Sequence, residues 1–420
     1  MTSLWDPIFG ASRVAAEVDD RAWVRAMLQA EVALARAVAS AGVVDRAAAE
    51  AVANACAETD WIAIESLGAE AAAGGNPVIP LVQRLRVRVG PAGENAVHVG
   101  ATSQDILDTA AMLVARRATG VIVDDLSGAA GAAAQLARKH RDTPMAARTL
   151  LQQAAPTTFG AVAAGWGTGL DRAAARLGAV EFAAQLGGPA GTLAALHAHG
   201  PAVRRAFARE LDLTDPDGVW HTDRTRIADL AGALATAAGA AGKVATDVVL
   251  LAQTEVGEVH EAAPGGSSSL PHKQNPVAAV TARAAAAQAP GLAATVYGAM
   301  SGEQQRAAGA WHAEWPALTA LLRWTGGAAA RLRQSLAGLY VDVEAMHRNL
   351  SRTSGLLLAE RIAAHLAPTM GRAAAQQAVR DAARKGSLEA LDVDPQLLDP
   401  ATYLGHAGDL VDAYLRSRLR

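Results

Sequence analysis

The stretch Gly265-Gly266-Ser267-Ser268-Ser269-Leu270-Pro271-His272-Lys273-Gln274-Asn275-Pro276 gathers three serines, a lysine and an asparagine between glycines and prolines. Two glycines at its start and the two prolines exclude a helix or a central strand, so a polar, mobile loop is expected. Polar loops on rigid helical scaffolds are where chemistry tends to sit. A serine hydroxyl is a poor base in water, so Ser267 can give or take a proton only where amides and a cation stabilise its alkoxide. Lys273 and the N–H groups of the serine run can supply that field, and Asn275 can orient a substrate carboxylate. The plainer alternative is a flexible Gly/Ser linker ahead of a Pro-bounded turn, which would need neither Lys273 nor Asn275.

Two further constellations suit the binding of carboxylates. His98 precedes Thr102-Ser103-Gln104-Asp105 and Asp108-Thr109, and the spacing of Thr102 and Asp105 is that of a capping box, which predicts a helix start. The exposed amides of such a start, with the Thr102 and Ser103 hydroxyls, also suit an anion, and the two readings are compatible. The second is Arg148-Thr149-Leu150-Leu151-Gln152-Gln153, followed by Pro156-Thr157-Thr158-Phe159-Gly160. It reads as an interhelical turn with Thr157 or Thr158 capping the next helix, or as arginine and amide groups holding carboxylates without acid-base chemistry. Two weaker sets divide between packing and function: Trp220-His221-Thr222-Asp223-Arg224, and Glu303-Gln304-Gln305-Arg306 with Trp311-His312-Ala313-Glu314-Trp315.

The elements that must position these groups are helical. Alanine is the best helix former, and with aromatics at only 4% and few β-branched alternations the chain reads as all-α. Between Pro216 and Pro264 the residues Ile227, Leu230, Leu234, Ala237, Ala241, Val244, Val248 and Leu251 recur at steps of three and four, one apolar stripe on a bundle helix. That window predicts a helix roughly 50 to 60 Å long at about 1.5 Å per residue. The proline-free windows Ala92 to Thr143 and Thr157 to Gly188, and the segments Val277 to Ala289 and Gly291 to Trp315, are further bundle members. Long apolar faces of this kind are only partly covered within one chain, so a homo-oligomer is expected. The linear division is residues 1–104 as a helical cap with turns at Gly74-Gly75-Asn76-Pro77 and Gly90-Pro91, 105–340 as the bundle, and 341–420 as a second small helical domain broken by Pro368, Pro395 and Pro400.

A chain of 420 residues buries enough surface to need no staple, and Cys56, its only cysteine, allows neither an internal disulfide nor a cysteine metal cluster. With a net charge of −3 and only short basic clusters, nucleic-acid binding is not expected. Charges interrupt every long apolar run and residues 1–10 lack the pattern of a signal peptide, so no membrane span is expected and the location is cytoplasmic.

Taken in order, Thr102-Ser103-Gln104-Asp105 with Asp108-Thr109, Arg148-Thr149 through Gly160, and Gly266-Ser267-Ser268 through Pro276 resemble the three signature regions of the fumarase/aspartase superfamily, with Leu270 in place of the usual methionine. The resemblance implies a homotetramer with a central twenty-helix core and each active site built from three subunits. Gln185-Leu186-Gly187-Gly188, Trp220-His221-Thr222, Gln253 through Val259 and Gly309 through Trp315 look like the bacterial 3-carboxy-cis,cis-muconate cycloisomerase branch. Leu150, where the lyases often carry histidine, and Val280, where adenylosuccinate lyase has glutamate, point the same way. On that likeness the reaction is lactonisation of a polycarboxylate diene, without metal or cofactor, with Ser267 and Lys273 catalytic. The implied substrate-binding set is His98, Thr102, Ser103, Arg148, Thr149, Gln152, His221, Asn275 and Arg306. Glu303-Gln304-Gln305-Arg306 lacks the acidic residue expected before its arginine, and Asp223 stands where glutamine is usual, which suits an altered succinate-type substrate such as nitrosuccinate. The rivals are therefore a lyase releasing fumarate from a substituted succinate and a catalytically silent homologue, against which Ser267, Lys273 and Asn275 together speak.

Overall fold

Helix accounts for 66% of the chain, as the alanine content and the 3.6-residue periodicity require. The computed structural model describes residues 4–10, 12–388 and 391–419. Three helices dominate: Ser103–Lys139 of 37 residues, Thr225–Leu251 of 27 and Ala310–Ala337 of 28. Every residue of the predicted stripe from Ile227 to Leu251 is buried. Thr225–Leu251 is the one described helix long and apolar enough to cross a membrane, but that stripe is already covered by protein.

The extent of that helix differs from the expectation. Its 27 residues span about 40 Å, because 217–224 and 252–258, which contain no proline, form loops and turns between the bounding prolines and the helix. At its end Glu258 donates its backbone N–H to Leu251 O at 2.9 Å and Gly257 takes φ 61°, a left-handed turn that frees the chain from the helix. The segment Gly291 to Trp315 is also not one helix. Ala289–Gly298 stops, 299–309 is irregular with Gln304 and Gly309 at positive φ, and Ala310–Ala337 begins anew. Pro368 lies in the last turn of Ala359–Met370, and the break falls at Gly371, whose φ is 84°.

By contact the chain gathers into two units, each discontinuous in sequence. The first comprises Met1–Asp124, Ala175–Gly239 and Ala285–Ala328, the second Asp125–Ala174, Ala240–Ala284 and Ala329–Arg420. Their boundaries fall inside long helices, which a division made along the sequence does not show. In the first unit, Asp19 caps Asp20–Ser40 by accepting from Ala22 N at 2.7 Å, and that helix packs on Arg46–Ala55 and Gly200–Glu210. Gly75, at φ 70°, ends Ile64–Gly74 in the predicted turn.

The second unit holds the main departure from an all-helical reading. Pro144–Thr149 and Gln152–Thr158 form an antiparallel hairpin, with Thr149 opposite Gln152 and an irregularity between Ala146 and Arg148. Its two-residue tip is Leu150-Leu151, at φ 51° and 64°, where glycine or asparagine is usual. Without that turn signal or β-branched strands, the hairpin is silent in the sequence. The predicted cap is present: Thr158 Oγ1 accepts from Ala161 N at 3.1 Å and starts Phe159–Gly178. Val343–Ser351 packs on the hairpin, and Val259–His260 pairs with Tyr340–Val341.

Candidate active site

In the first unit a network of polar groups is organised by Asp105, in the first turn of Ser103–Lys139 and fully buried. Its Oδ2 accepts from Thr102 N at 3.0 Å and Gly188 N at 2.8 Å; its Oδ1 accepts from Gly187 N at 2.9 Å and lies 2.7 Å from His221 Nε2. The capping-box spacing is thus used in one direction, acid to the Thr102 amide, and the same carboxylate ties in two distant segments. Gly188 must be glycine: its φ is +71° and a Cβ would stand 2.8 Å from Gly100 O.

The two weaker sequence sets converge on this helix start. Gln104 donates through Nε2 to His221 O at 2.8 Å and accepts from Arg306 Nε at 3.0 Å. Arg306 Nη2 is buried with no acceptor among the described residues, a charged donor that an anion would satisfy. Behind them Arg224 bridges Asp108 and Glu314, with Trp311 Nε1 also donating to Asp108 at 2.9 Å. Burial works against the Arg224 charge, but its two carboxylates outweigh that and push it above the ordinary arginine range. Asp223 turns to Thr225, accepting from its N–H at 3.1 Å and its hydroxyl at 2.7 Å, and those bonds lower its carboxyl. It therefore caps Thr225–Leu251.

His98 takes φ 61° and is held by Glu31, a fully buried residue of Asp20–Ser40. Glu31 Oε2 accepts from His98 N at 3.0 Å and Oε1 lies 2.6 Å from His98 Nδ1. Burial lowers the ring's proton affinity, but the charge and hydrogen bond of Glu31, with Asp105 adding, outweigh it, and the net shift is upward. Glu31 is absent from the sequence reading. The one available signal is a lone carboxylate amid the apolar run Leu28 to Val38 of that helix.

In the second unit the serine loop has a defined neck. Gly265 and Asn275 exchange backbone hydrogen bonds at 2.8 and 2.9 Å, and Asn275 Nδ2 donates to Gly265 O and Gly266 O. Glu261 accepts from Ala278 N and Ala279 N at 3.0 and 2.8 Å and caps the following helix Val277–Ala286. Ser267 is half-buried and its Oγ accepts from Leu270 N at 3.1 Å and Ser269 N at 3.4 Å. Lys273 is exposed.

Arg148 is engaged within its unit: Nη1 and Nη2 donate to Glu258 at 2.8 and 2.6 Å, and Asn349 Nδ2 donates to the same fully buried carboxylate. This fork anchors the hairpin, whose Thr149 and Gln152 stand exposed at its end beside Leu150 and Leu151, 97% and 70% exposed. A cavity of about 860 Å³ is lined by Arg148, Leu151, Thr157, Lys243 and Gln253, among others. The predicted residues thus divide: His98, Thr102, Ser103, His221 and Arg306 lie in the first unit, and Arg148, Thr149, Gln152, Ser267, Lys273 and Asn275 in the second. Among the described residues no three of His, Cys, Asp and Glu are grouped to hold a metal.

A lyase family model matches residues 6–291. The chain is 44% identical to a nitrosuccinate lyase of Streptomyces davaonensis, over 98% of this chain and 94% of that protein. It is 41% identical to a 3-carboxy-cis,cis-muconate cycloisomerase of Bradyrhizobium diazoefficiens, over 99% and 98%. The crystal structure of a 3-carboxy-cis,cis-muconate lactonizing enzyme from Pseudomonas putida superposes with a TM-score of 0.93 at 39% identity, covering 100% of this chain and 99% of that one.

Proposed function

The chain belongs to the lyase family, within the fumarase/aspartase superfamily, and on that premise we propose that it lactonises 3-carboxy-cis,cis-muconate to 4-carboxymuconolactone in aromatic catabolism. A carboxylate oxygen of the substrate adds to the conjugated alkene and forms the C–O bond. The alkene electron pair moves to the neighbouring carbon, beside a second carboxylate, and a proton delivered there completes the addition. The charge that develops is an enolate-like dianion, which preorganised donors stabilise.

The observation that carries this reading is the position of Ser267 Oγ under the amides of Ser269 and Leu270, which would stabilise the alkoxide left when the hydroxyl gives up its proton. Lys273 supplies the cation and Asn275 the closed neck of the loop. Thr102, Ser103, His98 and Arg306, with its unmet Nη2, hold substrate carboxylates. Arg148 sets the hairpin that presents Thr149 and Gln152, and His221 orders the Asp105 helix start. From the likeness to the superfamily we assign the site to a homotetramer in the cytoplasm, in which different subunits contribute different segments. The exposed Leu150 and Leu151 suit such an interface.

A second reading is favoured by the 44% identity to the nitrosuccinate lyase. There Ser267, as the alkoxide, removes a proton next to a carboxylate, the adjacent C–N bond breaks, and nitrite and fumarate leave. Purified protein offered 3-carboxymuconate, nitrosuccinate, adenylosuccinate and argininosuccinate separates the two, with diene loss and fumarate release followed independently. Diene loss is the expected result. Fumarate from any of the succinates, with the diene untouched, overturns the cycloisomerase reading.

A further inference from the structure

Both oxygens of Glu31 are given to one residue, the His98 amide and the His98 Nδ1, and Glu31 has no solvent exposure. A buried carboxylate without a compensating charge is strongly disfavoured, and among the described residues the His98 ring is the only basic group within ion-pair distance of Glu31. With Nδ1–H committed to Glu31, Nε2 is the ring nitrogen left for a ligand, and the ring remains 15% exposed. The left-handed backbone of His98 is a conformation that is costly outside glycine, and the Glu31–amide bond holds it there.

We propose that Glu31 is the positioning residue that keeps His98 an imidazolium, so that His98 enters the reaction as a fixed positive charge on a substrate carboxylate and not as a base. This rests on the functional reading above. Asp105 reinforces the charge and Arg86 opposes it. Burial first and then the Glu31 charge push the Cys56 thiol up to about 12, so it stays neutral.

Deuterium exchange at the His98 C2–H, read by mass spectrometry on its peptide, reports the ring's titration in the intact protein without substrate. The expected result is a midpoint above that of an ordinary histidine, falling by about one pH unit or more in Glu31→Gln. The alkaline limb of kcat/KM should move down by the same interval. Glu31→Asp, which keeps the charge, should keep the high midpoint while lowering kcat/KM, and it serves where Glu31→Gln does not fold. A neutral ring at pH 7, or one midpoint shared by wild type and Glu31→Gln, overturns the proposal, as does a uniform loss of rate at every pH. Absence of turnover on every substrate would instead remove the functional reading, while the exchange experiment still decides the charge of His98.

Discussion

A hydroxyl that accepts from two amides is a better alkoxide than one in water, and Ser267 owes that to the turn made by Ser268, Ser269 and Leu270. Ser267→Ala should lower kcat by about 10²- to 10⁴-fold, the usual contribution of a proton-transfer group, with circular dichroism unchanged. Turnover within a factor of ten of wild type would remove the assignment. Asp223 carries a separate expectation. Its carboxyl is held low by Thr225, so its stabilising effect is full above the ordinary value of 3.8 and lost as pH falls through the lower folded value. Melting wild type and Asp223→Asn side by side from pH 2 to 7 should show a gap near neutrality that closes in acid, with KM unaffected. A gap that persists at pH 2, or a changed KM, would return Asp223 to substrate contact. The sequence marks both residues as chemical. It does not show that Asp223 caps a helix, because the choice between Thr225 and a ligand is made by the approach angle of the preceding loop.

At the scale of elements, the hairpin tip is the strained feature. Leu150 and Leu151 both take left-handed φ while standing in solvent, an arrangement that asparagine and glycine adopt at less cost. Replacing the pair by Asn-Gly should raise the denaturation midpoint and lower kcat/KM at least tenfold, as measured by chemical unfolding and steady-state kinetics. Unchanged activity would take the tip out of the site. The helix Thr225–Leu251 was legible because every residue of its stripe repeats at helical spacing, a signal summed over seven turns. The hairpin was not, since Pro-Met-Ala-Ala-Arg-Thr has no β-branched alternation, and the Arg148–Glu258 fork that anchors it joins residues far apart in the chain. The break at 299–309 was missed for a related reason: no proline interrupts that segment, and it is shaped by Thr222 donating to Gln304 O and Arg306 donating to Gln104.

For the molecule as a whole, the buried set Asp108, Arg224 and Glu314 places two carboxylates around one guanidinium. Arg224→Met should cost about 3 to 5 kcal/mol, because both anions lose their partner, and urea midpoints at pH 7 measure it. Light scattering on the eluted protein should give about four times 42.9 kDa, and a monomer with full activity would contradict a site shared between chains. What the sequence determined by itself is local and repetitive: the helical stripes, a threonine cap at Thr157 or Thr158, the Gly75 turn and the polar loop around Ser267. Each depends on residues a few positions apart, whose spacing sets which face they share. What only the tertiary structure decided is which charges meet. Glu31 and His98 are 67 residues apart and Arg148 and Glu258 are 110 apart. Such pairs leave no period in the chain, and they form because burial makes an unpartnered charge too costly to keep.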